Sequence, residues 1–313
     1  MRLLVIFPCY NEEAILTASI SPFFSYFENL IASNLIDAES KICFVDDGSQ
    51  DATWQQIISF SQTYVTGIKL STNFGHQKAL LAGLETFQNT FDGYVTLDVD
   101  LQDDMRCIEE MIKKYQEGFD IVYGVRNDRT TDTSFKKNSA TLFYRIMKAM
   151  GVKTIPNHAD FRLISNKALL ALLQFPESHL FLRAIFPKIG LKSTYVYYKR
   201  LQREAGTTKY SFKKMVSFAW DGISSFSAAP LRWILYMGIF AIVISIILLV
   251  WATVNYLLGN VIEGWFSILI VVIFFGGLQT FAIGVIGEYL GKVFMQTKNR
   301  PRYIIDKTHG IQE

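Results

Sequence analysis

Residues 95–104 join a short apolar run to a cluster of acidic and amide side chains. Asp98 and Asp100 stand one residue apart at the end of that run, and Gln102 follows two residues later. Carboxylate and amide oxygens suit Mg²⁺ or Mn²⁺, ions that often share their coordination with substrate phosphates. The pattern predicts a divalent cation site at the end of a strand. A strand that runs into a solvated acidic turn would show the same pattern. The neighbouring motifs have to distinguish a cation site from such a turn.

Polar residues also follow two earlier apolar runs. Pro8-Cys-Tyr10-Asn-Glu12 follows residues 3–7, and Asp46 and Asp47 follow residues 42–45. The short apolar runs that predict strands are residues 3–7, 42–45, 67–70, 94–97 and 121–123, and the amphipathic stretches that predict helices are residues 12–31, 52–64, 76–87 and 105–117. This alternation predicts an α/β fold with a mostly parallel sheet, in which ligands bind at the carboxyl ends of the strands.

Two nucleotide-binding signatures are missing from the sequence. No Gly-x-Gly-x-x-Gly follows the first predicted strand, and there is no Gly-x-x-x-x-Gly-Lys-Ser/Thr loop. A dinucleotide-dependent oxidoreductase is therefore disfavoured. A nucleotide diphosphate bound at these acidic strand ends would need a metal bridge.

The C-terminal third of the chain is far more apolar than the rest. Residues 233–262 and 264–287 contain no charged side chain. At about 1.5 Å per residue, each stretch exceeds the roughly 30 Å hydrocarbon core of a bilayer. Basic residues flank the pair at Arg232 and Lys292, whereas the linker carries Glu263 and no Lys or Arg. This asymmetry predicts two transmembrane helices in the cytoplasmic (inner) membrane, with both termini in the cytoplasm.

Composition narrows the functional classes further. The net charge of the 313-residue chain is only +3, which argues against a nucleic-acid partner. The three cysteines, Cys9, Cys43 and Cys107, are widely spaced, as expected in a reducing compartment. The start of the chain does not resemble a signal peptide. We therefore expect a catalytic domain at residues 1–210, an amphipathic interfacial helix at 211–230, a transmembrane hairpin at 231–292 and a cytoplasmic tail at 293–313.

Four motifs occur in an order that resembles a known family. They are Pro8-Cys-Tyr-Asn-Glu-Glu, Val45-Asp-Asp-Gly-Ser-Gln-Asp-Ala-Thr53, Leu97-Asp-Val-Asp-Leu-Gln102 and Ala159-Asp-Phe-Arg-Leu163. Together they resemble the family 2 inverting glycosyltransferases, which have the Rossmann-like GT-A fold. Arg203-Glu-Ala-Gly-Thr-Thr-Lys209 and the two apolar spans narrow the resemblance to the polyprenyl-phosphate glycosyltransferases, which include dolichol-phosphate mannose synthases and bactoprenol glucosyltransferases.

The resemblance implies a role for each matching residue. The nucleotide-binding residues would be Pro8, Tyr10, Glu12, Asp46, Asn73, Gly75 and Asp98, and the metal ligands Asp98, Asp100 and Gln102. The acceptor phosphate would be bound by Arg126, Lys136, Ser139, Arg203 and Lys209. Asp160 would act near the acceptor, as a base or as an orienting group, or it would only form a salt bridge with Arg162. A solvated basic loop is the alternative for residues 126–139.

The resemblance implies transfer of glucose from UDP-glucose to undecaprenyl or another polyprenyl phosphate at the cytoplasmic membrane face, with Mg²⁺ or Mn²⁺ and with inversion. A processive polysaccharide synthase is one alternative, but the Gln-x-x-Arg-Trp element of those enzymes is missing, since Arg232-Trp233 follows Ala229-Pro230-Leu231. A non-catalytic membrane scaffold is the other, against which the intact acidic motif argues. Glycines in the second span would pack on the first span or in a homo-oligomer. His76 and His158 have no metal-ligand spacing and are interpreted as ordinary polar residues, with His76 a candidate cap for the helix that follows.

Overall fold

The computed structural model describes residues 1–127, 155, 158–177, 182–199, 228–258 and 264–311. The chain divides into two compact units. The first, here called the sheet unit, contains Met1–Arg145, Lys153–Tyr210 and Arg300–Glu313. The second, the helical unit, contains Ile146–Val152 and Ser211–Asn299.

A single mixed sheet forms the centre of the sheet unit. Its strands, in chain order, are β1 (Leu3–Cys9), β2 (Lys41–Asp46), β3 (Val65–Leu70), β4 (Gly93–Thr96), β5 (Ile121–Arg126), β6 (His158–Ser165), β7 (Ser193–Tyr198) and β8 (Ile305–His309). They lie side by side in the order β7-β5-β6-β4-β1-β2-β3-β8. The predicted mostly parallel sheet is confirmed, and each of the five predicted strands is present with slightly different ends.

Six helices accompany this sheet in the described residues. They are α1 (Leu16–Ala32), α2 (Thr53–Ser59), α3 (His76–Thr86), α4 (Cys107–Gln116), α5 (Asn166–Leu173) and α6 (Leu182–Ile189). The first four match the predicted amphipathic stretches. Aromatic residues fill the core beneath α1, where Phe23 meets Phe7 edge-to-face at 4.9 Å between ring centroids. Aromatic pairs prefer this geometry, and each buried ring removes a large apolar area from water.

Strand direction decides which residues share an edge of the sheet. β1 is parallel to β2 and to β4, and β5 is parallel to β7. β6 is antiparallel to both β4 and β5. The first residues of β6 therefore lie at the same edge as the last residues of β1, β2, β4, β5 and β7.

The last described strand was not expected from the sequence. β8 pairs antiparallel with β3, with Lys307 opposite Lys69 and Thr308 opposite Ile68. Just before β8, Arg302 contacts Glu85 at 3.2 Å between Nη1 and Oε1 and donates to the backbone oxygen of Phe175. Tyr303 donates its hydroxyl hydrogen to Glu85 as well. Residues 293–313, assigned above to a separate tail, thus include a strand that completes the sheet, because backbone pairing with β3 holds it there.

The helical unit contains two long apolar helices, α7 (Ala229–Leu257) and α8 (Trp265–Thr297). The 27-residue stretches Ala229–Asn255 and Val271–Thr297, with mean hydropathies of 2.8 and 1.7, are long and apolar enough to cross a membrane. These helices coincide with the two predicted spans. The predicted interfacial helix at 211–230 lies almost wholly outside the described residues.

Candidate active site

The loops after β1 and β2 are tied together by side chains near the carboxyl ends of these strands. The backbone N–H of Asn11 donates to Ser49 Oγ at 2.9 Å, and that of Glu12 donates to Thr53 Oγ1 at 2.9 Å. Pro8 is buried beneath this junction, whereas 42% of the Tyr10 surface is exposed. The junction therefore presents Tyr10 at the sheet edge, where a nucleobase is expected.

Two adjacent carboxylates at the end of β2 face inward. Asp46 is fully buried; its Oδ1 accepts a hydrogen bond from the backbone of Ser49 at 3.0 Å, and its Oδ2 lies 3.8 Å from Lys69 Nζ. Asp47 accepts from the backbone N–H groups of Phe74 and Gly75 at 2.7 and 2.8 Å. Asp47 thus fixes the loop that leads into α3.

That loop contains two of the predicted nucleotide-binding residues. Asn73 is exposed, and Gly75 has a φ of +95°, a left-handed conformation that favours glycine. A second close approach occurs at Gly48, where a Cβ would lie 2.4 Å from the carbonyl carbon of Thr72. The loops after β2 and β3 are therefore in contact, and this contact places Asn73 and Gly75 beside the β2 carboxylates.

The acidic motif follows β4 directly. Asp98 exposes 40% of its side chain, and Asp100 Oδ1 accepts from the backbone N–H of Gln102 at 3.3 Å. Desolvation raises the pKa of Asp98, and the charges of Asp103, Asp160 and Asp100 raise it further, although His76 opposes them. Repulsion among crowded carboxylates is relieved by a bound cation.

The oxygen atoms of Asp98, Asp100 and Gln102 are of the type that binds a divalent cation, but these residues do not supply a complete set of ligands. Among the described residues, no three His, Cys, Asp or Glu side chains are grouped so as to hold a metal ion. Gln102 Nε2 and Asp103 Oδ2 are buried and have no hydrogen-bond partner. Two carboxylates and an amide leave coordination positions for substrate phosphates, as is usual for Mg²⁺.

Asp160 lies opposite this motif because of strand register. Thr96 of β4 pairs with Arg162 of β6, so Asp98, two residues further on, lies level with Asp160. The Thr96 hydroxyl also donates to the backbone oxygen of Asp160. Antiparallel pairing thus brings a carboxylate from the start of one strand to a carboxylate just past the end of another.

Four side chains surround the Asp160 carboxylate. Arg162 Nη2 donates to Oδ1 at 2.5 Å, and Arg183 donates from Nε to Oδ1 at 3.2 Å and from Nη2 to Oδ2 at 2.8 Å. Gln77 Nε2 donates to Oδ2 at 3.2 Å. Burial alone would raise the pKa of Asp160, but the hydrogen bond from His76 and the charges of Arg183 and Arg162 hold it well below its usual range.

His76 occupies a more central position than expected. It is the first residue of α3, and its Nε2 lies 3.5 Å from Asp160 Oδ2 and 3.7 Å from Asp98 Oδ1. No side-chain cap hydrogen bond forms at this helix start. The N-cap residue of α3 is Gly75, so the interpretation of His76 as the helix cap is wrong. His76 instead bridges the acidic motif and Asp160.

Arg126, predicted to bind the acceptor phosphate, is held by two neighbours. Its Nη2 lies 3.1 Å from Asp103 Oδ1, and its Nε lies 3.2 Å from the Tyr198 hydroxyl oxygen. Tyr198 in turn donates to Asp103 Oδ1 at 2.6 Å. Parallel pairing explains the contact, since Arg126 and Tyr198 are directly opposite in β5 and β7. The other predicted acceptor residues, Lys136, Ser139, Arg203 and Lys209, lie outside the described part of the chain.

Sequence reasoning missed several residues that the structure places in this region. They are His76, Gln77, Asp103 and Arg183. Asp103 could have been suspected because it continues the acidic run after Gln102. Arg183 had no such signal, since a single Arg near a short amphipathic helix start is common.

Comparisons with known proteins agree with this geometry. The family described as "Glycosyl transferase family 2" matches residues 4–187. The chain is 48% identical over 306 residues to an uncharacterized glycosyltransferase, YkoT, of Bacillus subtilis, covering 97% of this chain and 91% of the relative. It is 36% identical to the SfII prophage-derived bactoprenol glucosyl transferase of Shigella flexneri, covering 99% of each. It is also 36% identical to a prophage bactoprenol glucosyl transferase homolog of Escherichia coli, covering 98% of this chain and 99% of the relative.

Proposed function

The chain belongs to glycosyltransferase family 2, and we propose that it transfers glucose from UDP-glucose to a polyprenyl phosphate such as undecaprenyl phosphate. Near-full-length similarity to proteins named bactoprenol glucosyl transferase supports the lipid acceptor. The two apolar helices support a reaction at a membrane surface. The basic residues that flank the pair of spans, Arg232 and Lys292, are suited to contact with the anionic lipids of the cytoplasmic leaflet.

The observation that carries the proposal is the environment of Asp160. Two guanidinium groups and an amide donate to this carboxylate, and its pKa lies well below the usual range. A carboxylate so stabilised is a poor proton acceptor. A phosphate acceptor is already an anion near neutral pH and needs no base, whereas a sugar hydroxyl would. The site is therefore suited to a phosphate nucleophile, and Asp160 acts as an orienting group.

The donor would lie along the carboxyl ends of β1, β2 and β4. Tyr10 and Glu12 would contact the base, Asp46 would accept from it, and Asn73 and Gly75 would line the nucleotide side. Asp98, Asp100 and Gln102 would hold Mg²⁺ or Mn²⁺, which supplies neutralising charge for the departing diphosphate when it is bound. Direct displacement at an α-linked sugar nucleotide would give a β-linked lipid product.

The proposal is tested by a transfer assay on the purified full-length protein in detergent. Undecaprenyl phosphate, Mg²⁺ or Mn²⁺ and a panel of radiolabelled UDP- and GDP-sugars are supplied one donor at a time. We expect label from UDP-glucose to enter the organic phase as a single-sugar lipid. Transfer from another donor would correct only the sugar or the nucleotide of the donor. A water-soluble polymer would favour the processive synthase and exclude the proposed acceptor.

The metal assignment is tested with a matched pair of acidic residues. Asp100→Asn should abolish transfer at every concentration of added Mn²⁺. Asp104→Asn should leave transfer and its Mn²⁺ dependence unchanged, because Asp104 lies four residues after Asp100 and pairs at 2.8 Å with the exposed Arg106. Full activity in Asp100→Asn would remove Asp100 from the metal site.

A further inference from the structure

Asp160 has more positive charge around it than its own charge requires. Arg162 is only 1% exposed, lies 2.5 Å from Asp160 Oδ1, and packs against the Phe186 ring at 4.7 Å. Since a buried carboxylate needs one cation for neutrality, Arg162 alone satisfies it. Arg183 is a second cation on the same carboxylate, so these three groups together carry a net charge of +1.

The second guanidinium differs from the first in its exposure. Arg183 exposes 38% of its side chain, although it donates to both oxygens of Asp160. A forked, two-bond contact of this kind fixes the plane of the guanidinium. Arg183 is therefore an oriented, solvent-accessible positive group held by a buried carboxylate.

Its position is set by three elements that meet at Asp160. Gln77 of α3 donates to Asp160 Oδ2 and accepts from the backbone N–H of Leu182 at the start of α6, both at 3.2 Å. His76 links the same carboxylate to Asp98 of the acidic motif, at 3.5 and 3.7 Å. The start of α6, with Arg183, is thereby attached to the part of the site where the sugar-bearing phosphate is expected.

We propose that Arg183 is a phosphate-binding residue of the active site and that Asp160 is the positioning residue that orients it. This inference rests on the proposed function, because two phosphate-bearing substrates must meet beside Asp98 for the reaction to occur. A planar guanidinium with a fixed orientation is suited to phosphate oxygens. The phosphate belongs either to the diphosphate of the donor or to the lipid acceptor, and the experiment separates these two sources.

The test compares Arg183→Gln with Lys188→Gln in the full-length protein. Lys188 lies on the same helix, is exposed, and its substitution removes the same charge. Binding of UDP and of uridine is measured by titration calorimetry, and the KM for undecaprenyl phosphate is measured by transfer. We expect Arg183→Gln to weaken one phosphate-bearing ligand on the order of tenfold or more, and Lys188→Gln to change neither.

Each outcome has a defined meaning. Weaker UDP binding with unchanged uridine binding places the donor diphosphate at Arg183, and a raised acceptor KM with unchanged UDP binding places the acceptor phosphate there. Unchanged UDP affinity together with unchanged acceptor KM would overturn the proposal, as would equal losses for UDP and uridine. The UDP arm needs no lipid transfer, so it remains decisive if the proposed acceptor is wrong.

Asp160→Asn supplies the second variant. If Asp160 orients Arg183, this change should weaken the same phosphate-bearing ligand as Arg183→Gln, and the double variant should be little worse than either single one. Compared with Arg183→Gln, Arg183→Lys should recover part of the affinity for that ligand, because lysine keeps the positive charge but lacks the paired donors of a guanidinium. A fall in kcat alone in Asp160→Asn, with every affinity intact, would instead indicate a base.

Discussion

At the scale of single residues, the acids of the site divide by what surrounds them. Asp47 accepts two backbone hydrogen bonds, and Asp103 and Asp160 are paired with arginines. Asp98 differs, since 40% of its side chain is exposed and its pKa is raised by desolvation and then by neighbouring acids. The first group builds the site, and Asp98 is the carboxylate suited to meet a cation.

Tyr198 offers a test of this building role. Its hydroxyl donates to the buried Asp103 at 2.6 Å, and Tyr198→Phe would leave that carboxylate with one donor fewer. A hydrogen bond to a charged group contributes about 1.5–3 kcal/mol, so we expect the free energy of unfolding to fall by about 2 kcal/mol. The measurement is denaturant unfolding in detergent, followed by tryptophan fluorescence.

The adjacent tyrosine is the control for that measurement. Tyr197 is 58% exposed and points to the other face of β7, so Tyr197→Phe should not change stability. Equal stability of the Tyr198→Phe and wild-type proteins would show that the Asp103 contact contributes nothing to the fold.

At the scale of elements, the sequence predicted the first half of the sheet unit well. β1 to β5 and α1 to α4 alternate apolar strands with amphipathic helices, and this pattern is clear in the sequence. β8 was missed because four of its five residues are exposed and it lacks an apolar face. Its position comes from backbone pairing with β3, which no hydrophobic pattern reports.

The candidate site was predictable to a similar degree. Residues within motifs, such as Asp46, Asp98 and Asp160, were found because strand ends place them at one edge. Arg183 was not found, because its role depends on where α6 begins relative to β6. That relation arises from tertiary contacts through Gln77 and Asp160.

The segment before β8 provides a prediction for element packing. Arg302 bridges Glu85 of α3 and the backbone oxygen of Phe175, and its side chain is 17% exposed. Arg302→Ala removes both contacts and leaves the partly buried Glu85 carboxylate with one partner fewer. The free energy of unfolding should therefore fall by about 2 kcal/mol. Arg300→Ala is the matched control, because Arg300 is exposed and two residues away. The measurement is thermal unfolding of both variants in detergent. Identical unfolding midpoints for Arg302→Ala and Arg300→Ala would contradict the expectation.

The start of β6 should make stability depend on pH. Burial and, to a smaller extent, the charge of Arg162 lower the pKa of His158 to about 4. Since the unfolded His has a pKa of about 6.5, the unfolded state binds more protons between these values, and stability is lost as pH falls through this window. The expected loss from pH 7 to pH 5 is about 2 kcal/mol for this one group.

His158→Gln separates this effect from other titrating groups. The variant cannot take up the proton, so its unfolding free energy should change less between pH 7 and pH 5 than that of the wild-type protein. The two proteins are compared by denaturant unfolding at both pH values. Parallel pH profiles would show that His158 does not titrate in this range.

At the scale of the whole molecule, the chain leaves the sheet unit before α7 and re-enters it after α8. β3 precedes both apolar helices and β8 follows them, yet the two strands are hydrogen-bonded neighbours. Paired strands must be on the same side of a membrane. We therefore expect an even number of crossings between them, in agreement with the distribution of basic residues.

Cysteine labelling in intact cells tests this topology. A cysteine at Asn260, between the helices, should react with a membrane-impermeant maleimide from outside. A cysteine at Asp306, exposed in β8, should react only after the membrane is permeabilised. Cys107 is replaced by serine first, because it is only half-buried, whereas Cys9 and Cys43 are buried. Labelling of Asp306→Cys in intact cells would place β8 outside and refute the predicted cytoplasmic location of this strand.

The pairing of β8 with β3 also sets an order of events during synthesis. A ribosome makes β3 long before β8, and both apolar helices emerge between them. Until β8 is made, the edge of β3 has unpaired backbone groups that can bind another chain. Completion of the sheet therefore follows translation of the apolar hairpin, and nascent chains stalled at the hairpin would retain this open edge.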